Sequence, residues 1–68
     1  MTIGSRLQTT LASAQGVAAD LKSYALETQD QQAKQLYQQL AQTMDSVVNS
    51  LQSRVNYVLE QEPQYKNQ

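Results

Sequence analysis

Two stripes of apolar residues at helical spacing, separated by six polar residues, dictate most of what this chain can fold into. The first stripe is Leu7, Leu11, Ala14, Ala18, Leu21 and Ala25. The second is Ala33, Leu36, Leu40, Met44, Val47, Leu51, Val55 and Val58. Between them lies Glu27-Thr28-Gln29-Asp30-Gln31-Gln32. Apolar residues recurring every three or four positions mark one face of an α-helix. Two such faces with a polar connection predict an all-α chain, an antiparallel two-helix hairpin forming one domain over residues 1–68.

The ends of the helices can be read from capping chemistry. Ser5-x-x-Gln8 is a capping box, with Thr2 as a competing cap one turn earlier. Helix 1 is expected over about 5–27. Its stripe steps by four and three in alternation, a heptad seam, and Thr10, Val17 and Tyr24 widen it on one flank. Half of that seam is Ala, which lets another helix approach closely. Gly16 faces away from it, as a tolerated surface Gly or as a point where another backbone rests. The turn is expected at about 27–30, where Thr28-x-x-Gln31 offers a second capping box and Asp30 an equally good cap. Neither Gly nor Pro marks it, so a single bent helix is the alternative. Leu26 points off the seam and is expected to pack across the hairpin end.

Helix 2 is expected over about 31–62, with Tyr37, Ala41 and Val48 widening its face. Its stripe has an eleven-residue rhythm, close to that of a straight α-helix. Asp30 and Lys34 form a well-oriented ion pair one turn apart. Pro63 ends the helix, leaving a loose tail over 63–68.

A chain of 68 residues is near the lower limit for folding alone. Small domains usually compensate with disulfides, metal or oligomerisation. With no Cys and no His, oligomerisation remains. The arms would be about 35 Å and about 48 Å long, so helix 2 should overhang helix 1. Val55, Tyr57, Val58 and Leu59 would then lack cover inside the hairpin. A second copy supplies it, giving a homodimeric four-helix bundle. The expected interface is Leu7, Leu11, Ala14, Ala18, Leu21, Leu36, Leu40, Met44, Val47, Leu51, Arg54, Val55 and Val58. Arg54, the one charge beside the second stripe, either lies along apolar surface or reaches a carboxylate or helix end of the other subunit.

Several function classes are disfavoured. The net charge is −1, and Arg6, Lys22, Lys34, Arg54 and Lys66 are scattered, so there is no basic stripe for nucleic acid. The longest apolar run is Tyr57-Val58-Leu59, far short of a membrane span. The start Met1-Thr2-Ile3-Gly4-Ser5-Arg6 has no signal-peptide pattern, so a cytoplasmic protein is expected. No nucleophile is paired with a His or Cys base. Asp20, Glu27, Asp30, Asp45, Glu60 and Glu62 are spread out and lack the motif of a di-iron bundle. Gly4 and Gly16 stand alone, so no glycine loop cradles phosphate. The reading is therefore of a non-enzyme with no catalytic, metal or cofactor residues. Tyr24, Tyr37, Tyr57 and Tyr65 read as edges of the core. Thirteen residues are Gln, a good helix former with a neutral polar head that suits a solvated face.

The stretches Met1-Thr2-Ile3-Gly4-Ser5, Thr10-Leu11-Ala12, Tyr24-Ala25-Leu26-x-Thr28, Ala33-Lys34-Gln35-x-Tyr37, Arg54-Val55 and Glu62-Pro63-Gln64-Tyr65 together carry a resemblance that covers nearly the whole chain. It resembles a short family of uncharacterised proteins from spore-forming Firmicutes, a domain of unknown function. Ala14-Gln15-Gly16 departs from a Leu-Lys-Gly-like triplet of that family. The resemblance implies a sporulation setting beside the spore channel proteins that move dipicolinic acid. It implies a structural or accessory role in the forespore, the spore core or the inner face of the spore inner membrane, and a membrane-protein partner there. It brings no catalytic residues. The expected function is a self-associating interaction protein. The alternatives are an abundant Gln-rich spore-matrix or storage protein and a peripheral membrane binder; the polar faces lack the Lys and Arg enrichment that the latter usually shows.

Overall fold

The computed structural model describes residues 2–61 as two helices, α1 (Ile3–Glu27) and α2 (Gln31–Glu60), packed against each other as a hairpin. The single bent helix is thereby excluded. The body measures 50 × 17 × 12 Å. The tail over 63–68, with Pro63 as helix stop and Tyr65 as a core-edge residue, lies outside the described residues, as do Met1 and Glu62.

Thr2 caps α1: its Oγ1 accepts from the Ser5 amide at 3.1 Å. The later cap at Ser5 is not used, so the helix begins at Ile3 and the Ser5 capping box does not form. Ser and Thr inside the helices turn their hydroxyls onto their own backbone. Thr9, Thr10, Ser13 and Thr43 each donate to the carbonyl four residues back, at 3.1–3.2 Å.

The turn is short and internally bonded. Thr28 Oγ1 accepts from the Asp30 amide at 3.2 Å. Asp30 Oδ1 accepts from the amides of Gln32 at 2.9 Å and Ala33 at 3.3 Å. That carboxylate thus satisfies two of the orphan donors that open α2. The ion pair expected between Asp30 and Lys34 is not formed. The ion pair among the described residues is Lys22 Nζ to Asp45 Oδ1 at 3.2 Å, across the two helices.

The seam is thin. Its buried apolar residues are Leu11, Ala14, Ala18 and Ala25 on α1 and Ala41, Val55 and Val58 on α2, with Gly4 buried beside them in the first turn. No polar side chain is buried among the described residues, and no large side chain is fully enclosed. Full burial of a Val or Leu contributes about 1.5–3 kcal/mol, so a seam mainly of Ala holds the arms together weakly.

Two expectations about the ends fail. Val55 and Val58 were expected to overhang, yet each is only 2% exposed. The earlier start of α1 carries it alongside Val55 and Val58, with Gly4 buried in its first turn, while Tyr57 and Leu59, also expected to lack cover, are 45% and 40% exposed. Leu26 was expected to pack across the hairpin end and is instead 83% exposed. A turn of three residues closes the hairpin without leaving an end for Leu26 to cover.

Candidate functional site

Both arms meet along the same seven-residue frame. On α1 the buried and half-buried positions are Gly4, Leu7, Leu11, Ala14, Ala18, Leu21 and Ala25. On α2 they are Lys34, Tyr37, Ala41, Met44, Val48, Leu51, Val55 and Val58, with half-buried Ala33 and Asp45 at the margins. Steps of three and four alternate throughout, as knobs-into-holes packing requires. The eleven-residue rhythm read along α2 is therefore not the one that faces α1. Tyr37, Ala41 and Val48, expected to widen the face, lie in the seam itself. Leu36, Leu40 and Val47, expected inside the stripe, are 50%, 41% and 40% exposed.

These exposed residues share one flank. Lys22 and Tyr24 lie about 200° apart around α1, so they mark opposite edges of the seam. At one edge Lys22 meets Asp45. At the other the rings of Tyr24 and Tyr37 meet edge-on, with centroids 5.7 Å apart. Leu36 and Leu40 stand one turn apart, and Val47 follows one heptad after Leu40. All three flank Tyr37 on the side away from Asp45. Val17 lies one heptad before Tyr24 and is exposed beside it. The result is an apolar face formed by Val17 and Tyr24 of α1 and Leu36, Leu40 and Val47 of α2, with half-buried Leu21, Met44 and Leu51 beneath.

Thr10 and Thr43 also lie on this face. Their hydroxyls are already bonded to the Arg6 and Gln39 carbonyls, so covering them would orphan no donor. At the open end Arg54 stacks its guanidinium over the Tyr57 ring of its own helix, 4.8 Å from the centroid. Of the residues expected at an interface, Leu11, Ala14, Ala18, Val55 and Val58 are buried within the hairpin, and Leu7, Leu21, Met44 and Leu51 are half-buried. Leu36, Leu40, Val47 and Arg54 face outward. The sequence places Val17 and Tyr24 with Thr10 on one flank of the α1 seam, although the expected interface does not include them.

The opposite edge is different in kind. Lys22, Ala25, Leu26, Gln38, Ala41, Gln42 and Asp45 line an open depression of about 540 Å³ with an Ala floor and an amide rim. Gly16, on the outer side of α1, has nothing within 4 Å of where a Cβ would sit. Among the described residues, no three acidic side chains approach closely enough to hold a metal ion. None of their helices is long and apolar enough to cross a membrane.

No curated protein and no solved structure matches the chain. A family model matches residues 7–55, a span that holds the seam from Leu7 to Val55, the turn and the whole apolar face. The chain belongs to the family described as "Protein of unknown function (DUF1657)".

Proposed function

We propose that this chain is a non-catalytic interaction protein that works as a homodimer, two hairpins packed face to face as a four-helix bundle. One observation carries the reading: Val17, Tyr24, Leu36, Leu40 and Val47 are all at least 40% exposed and lie on a single flank. Contiguous apolar surface rimmed by polar residues is the usual mark of a docking face. The thin Ala seam adds to it, since two helices of this length gain little from each other alone. The whole side of the hairpin measures 50 Å by 17 Å, and the exposed apolar residues occupy mainly the half of it nearest the turn. Two copies covering that side along its full length would bury up to about 1,700 Å², within the range of stable protein interfaces. The centre of the face carries no charge, so a copy laid on it meets no like charge there.

The setting we propose follows the resemblance. It is an accessory role in sporulation, in the forespore or spore core or against the inner face of the spore inner membrane. The bundle's outer surface would there meet a membrane-protein partner.

The test is solution mass by light scattering together with helicity by circular dichroism, over a dilution series. A dimer that loses helicity on dilution supports the reading. A fully helical monomer at every concentration overturns it.

A further inference from the structure

The exposed row on α1 runs farther than the apolar face. Ile3, Thr10, Val17 and Tyr24 follow one another at steps of seven, and all four are exposed, Ile3 by 39% at the open end. On α2 Leu40, Val47 and Arg54 repeat the same step and are exposed too. Two contacts between the arms, Lys22 with Asp45 and Tyr24 with Tyr37, fix their register. The register midway between the two contacts sets Tyr24 about level with Leu40, Val17 with Val47 and Thr10 with Arg54. Both helices rise about 10.5 Å over seven residues, so these levels stay matched along the hairpin. The side of the molecule is therefore a ladder. Its rungs are Tyr24–Leu40 and Val17–Val47, both apolar, then Thr10–Arg54, polar, with Leu36 before the first and Ile3 beyond the last.

From this ladder, and resting on the self-association just proposed, we infer that the two copies dock with their turns at the same end of the bundle, rung upon like rung. A twofold axis along the hairpin lays α1 of one copy on α2 of the other, antiparallel and with every level kept. Tyr24 then meets Leu40 of the second copy, Val17 meets its Val47, and Thr10 meets its Arg54. Both apolar rungs are covered along with Leu36 and Ile3, and the polar rung faces its own kind. Reversing the second copy end for end at full overlap lays the apolar rungs on the half that carries Thr10 and Arg54. Sliding the reversed copy until the apolar rungs meet leaves about a third of each hairpin projecting, Ile3 included. The covered area then falls from about 1,700 Å² to about 1,100 Å², below the standard range of about 1,200–2,000 Å². Joining the turns brings Arg6 and Arg54 of both copies to one end. They are exposed, so water and salt screen them, and Arg54 is drawn onto Tyr57 on the outer side of its helix.

The chain has no Cys, so a single introduced Cys carries a spin label specifically. Gln29 lies exposed in the turn, and its side chain takes part in none of the turn's bonds. Ser53 is exposed on α2, about 33 Å along the helix from its start. With label on Gln29→Cys, pulsed dipolar spectroscopy should give an intermolecular distance within about 20 Å, two helix spacings. A mixture of Gln29→Cys and Ser53→Cys, each bearing a different label, should give a cross-distance beyond about 30 Å. A Gln29–Gln29 distance beyond about 30 Å in a protein of dimer mass overturns the orientation and leaves self-association standing. Monomer mass by light scattering, with no intermolecular signal, overturns both. Flotation of that monomer with phosphatidylglycerol vesicles would overturn both as well, with a lipid surface as the occupant.

Discussion

Along one edge of the hairpin Lys22 meets Asp45 beside Gln38 and Gln42; along the other Tyr24 meets Tyr37 beside Leu36, Leu40 and Val47. Both edges are made by the same two helices and flank the same seam. The first is mainly polar, with exposed Leu26 at its margin. Its ion pair is half in water, and its amides are solvated. The second leaves large apolar side chains without cover. A hairpin buries only one stripe of each helix, so apolar residues beyond that stripe mark where the next element belongs. Here Val17, Tyr24, Leu36, Leu40 and Val47 gather on one edge, while the other carries exposed Leu26 beside its ion pair and amides.

The comparison can be broken by mutation, and the largest effect belongs to the seam that both edges share. Val58→Asp places a charge in the tightest part of the packing and should cost at least about 3 kcal/mol. Circular dichroism should find the variant unfolded at concentrations where the unmodified chain is helical. Retained helicity would mean that the open end is not packed. Next comes the apolar edge. Val47→Glu should weaken self-association by at least about a hundredfold, since it removes apolar burial and adds a desolvated charge. Gln42→Glu, on the other edge, should change it by less than about threefold. Equal shifts in sedimentation equilibrium would erase the distinction between the edges. Asp30→Ala removes the cap on α2 and should cost about 1 kcal/mol in urea unfolding at fixed concentration, with the dimer interface intact. The smallest effect is Lys22→Ala. An ion pair with side chains 57% and 48% exposed should contribute less than about 1 kcal/mol, and less again in high salt.

Much of the fold is legible in the sequence because α1 carries one unambiguous period. Leu11, Ala14, Ala18 and Ala25 are both its apolar residues and its buried ones. Asp30 is legible too, since few residues suit the first amides of a helix so well. The register of α2 is harder. Its bulkiest residues, Leu36 and Leu40, compete with the smaller Ala41 and Val48 for the seam, and bulk suggests the wrong pair. The Ala-rich face of α1 decides the matter, because a seam built on Ala18 and Ala25 leaves little depth for Leu. That information lies in the other helix, and periodicity within α2 does not contain it. The candidate face was half legible for the same reason. Leu36, Leu40 and Val47 were visible as apolar, but their outward direction follows only once Tyr37, Ala41 and Val48 take the seam. Leu26 was misplaced because a turn of three residues leaves no cap over the hairpin end.

The bonded turn has a consequence for how the chain comes to be folded. Thr28 and Asp30 hold the reversal together through contacts between near neighbours in sequence. The arms that follow pair outward from it, so each new contact closes a loop only slightly longer than the last. Chains dominated by such short separations fold in microseconds to milliseconds. Two molecules meeting would then find each other's apolar edges already assembled. In a stopped-flow experiment, docking would appear as a second-order phase, distinct from a first-order phase that does not depend on protein concentration.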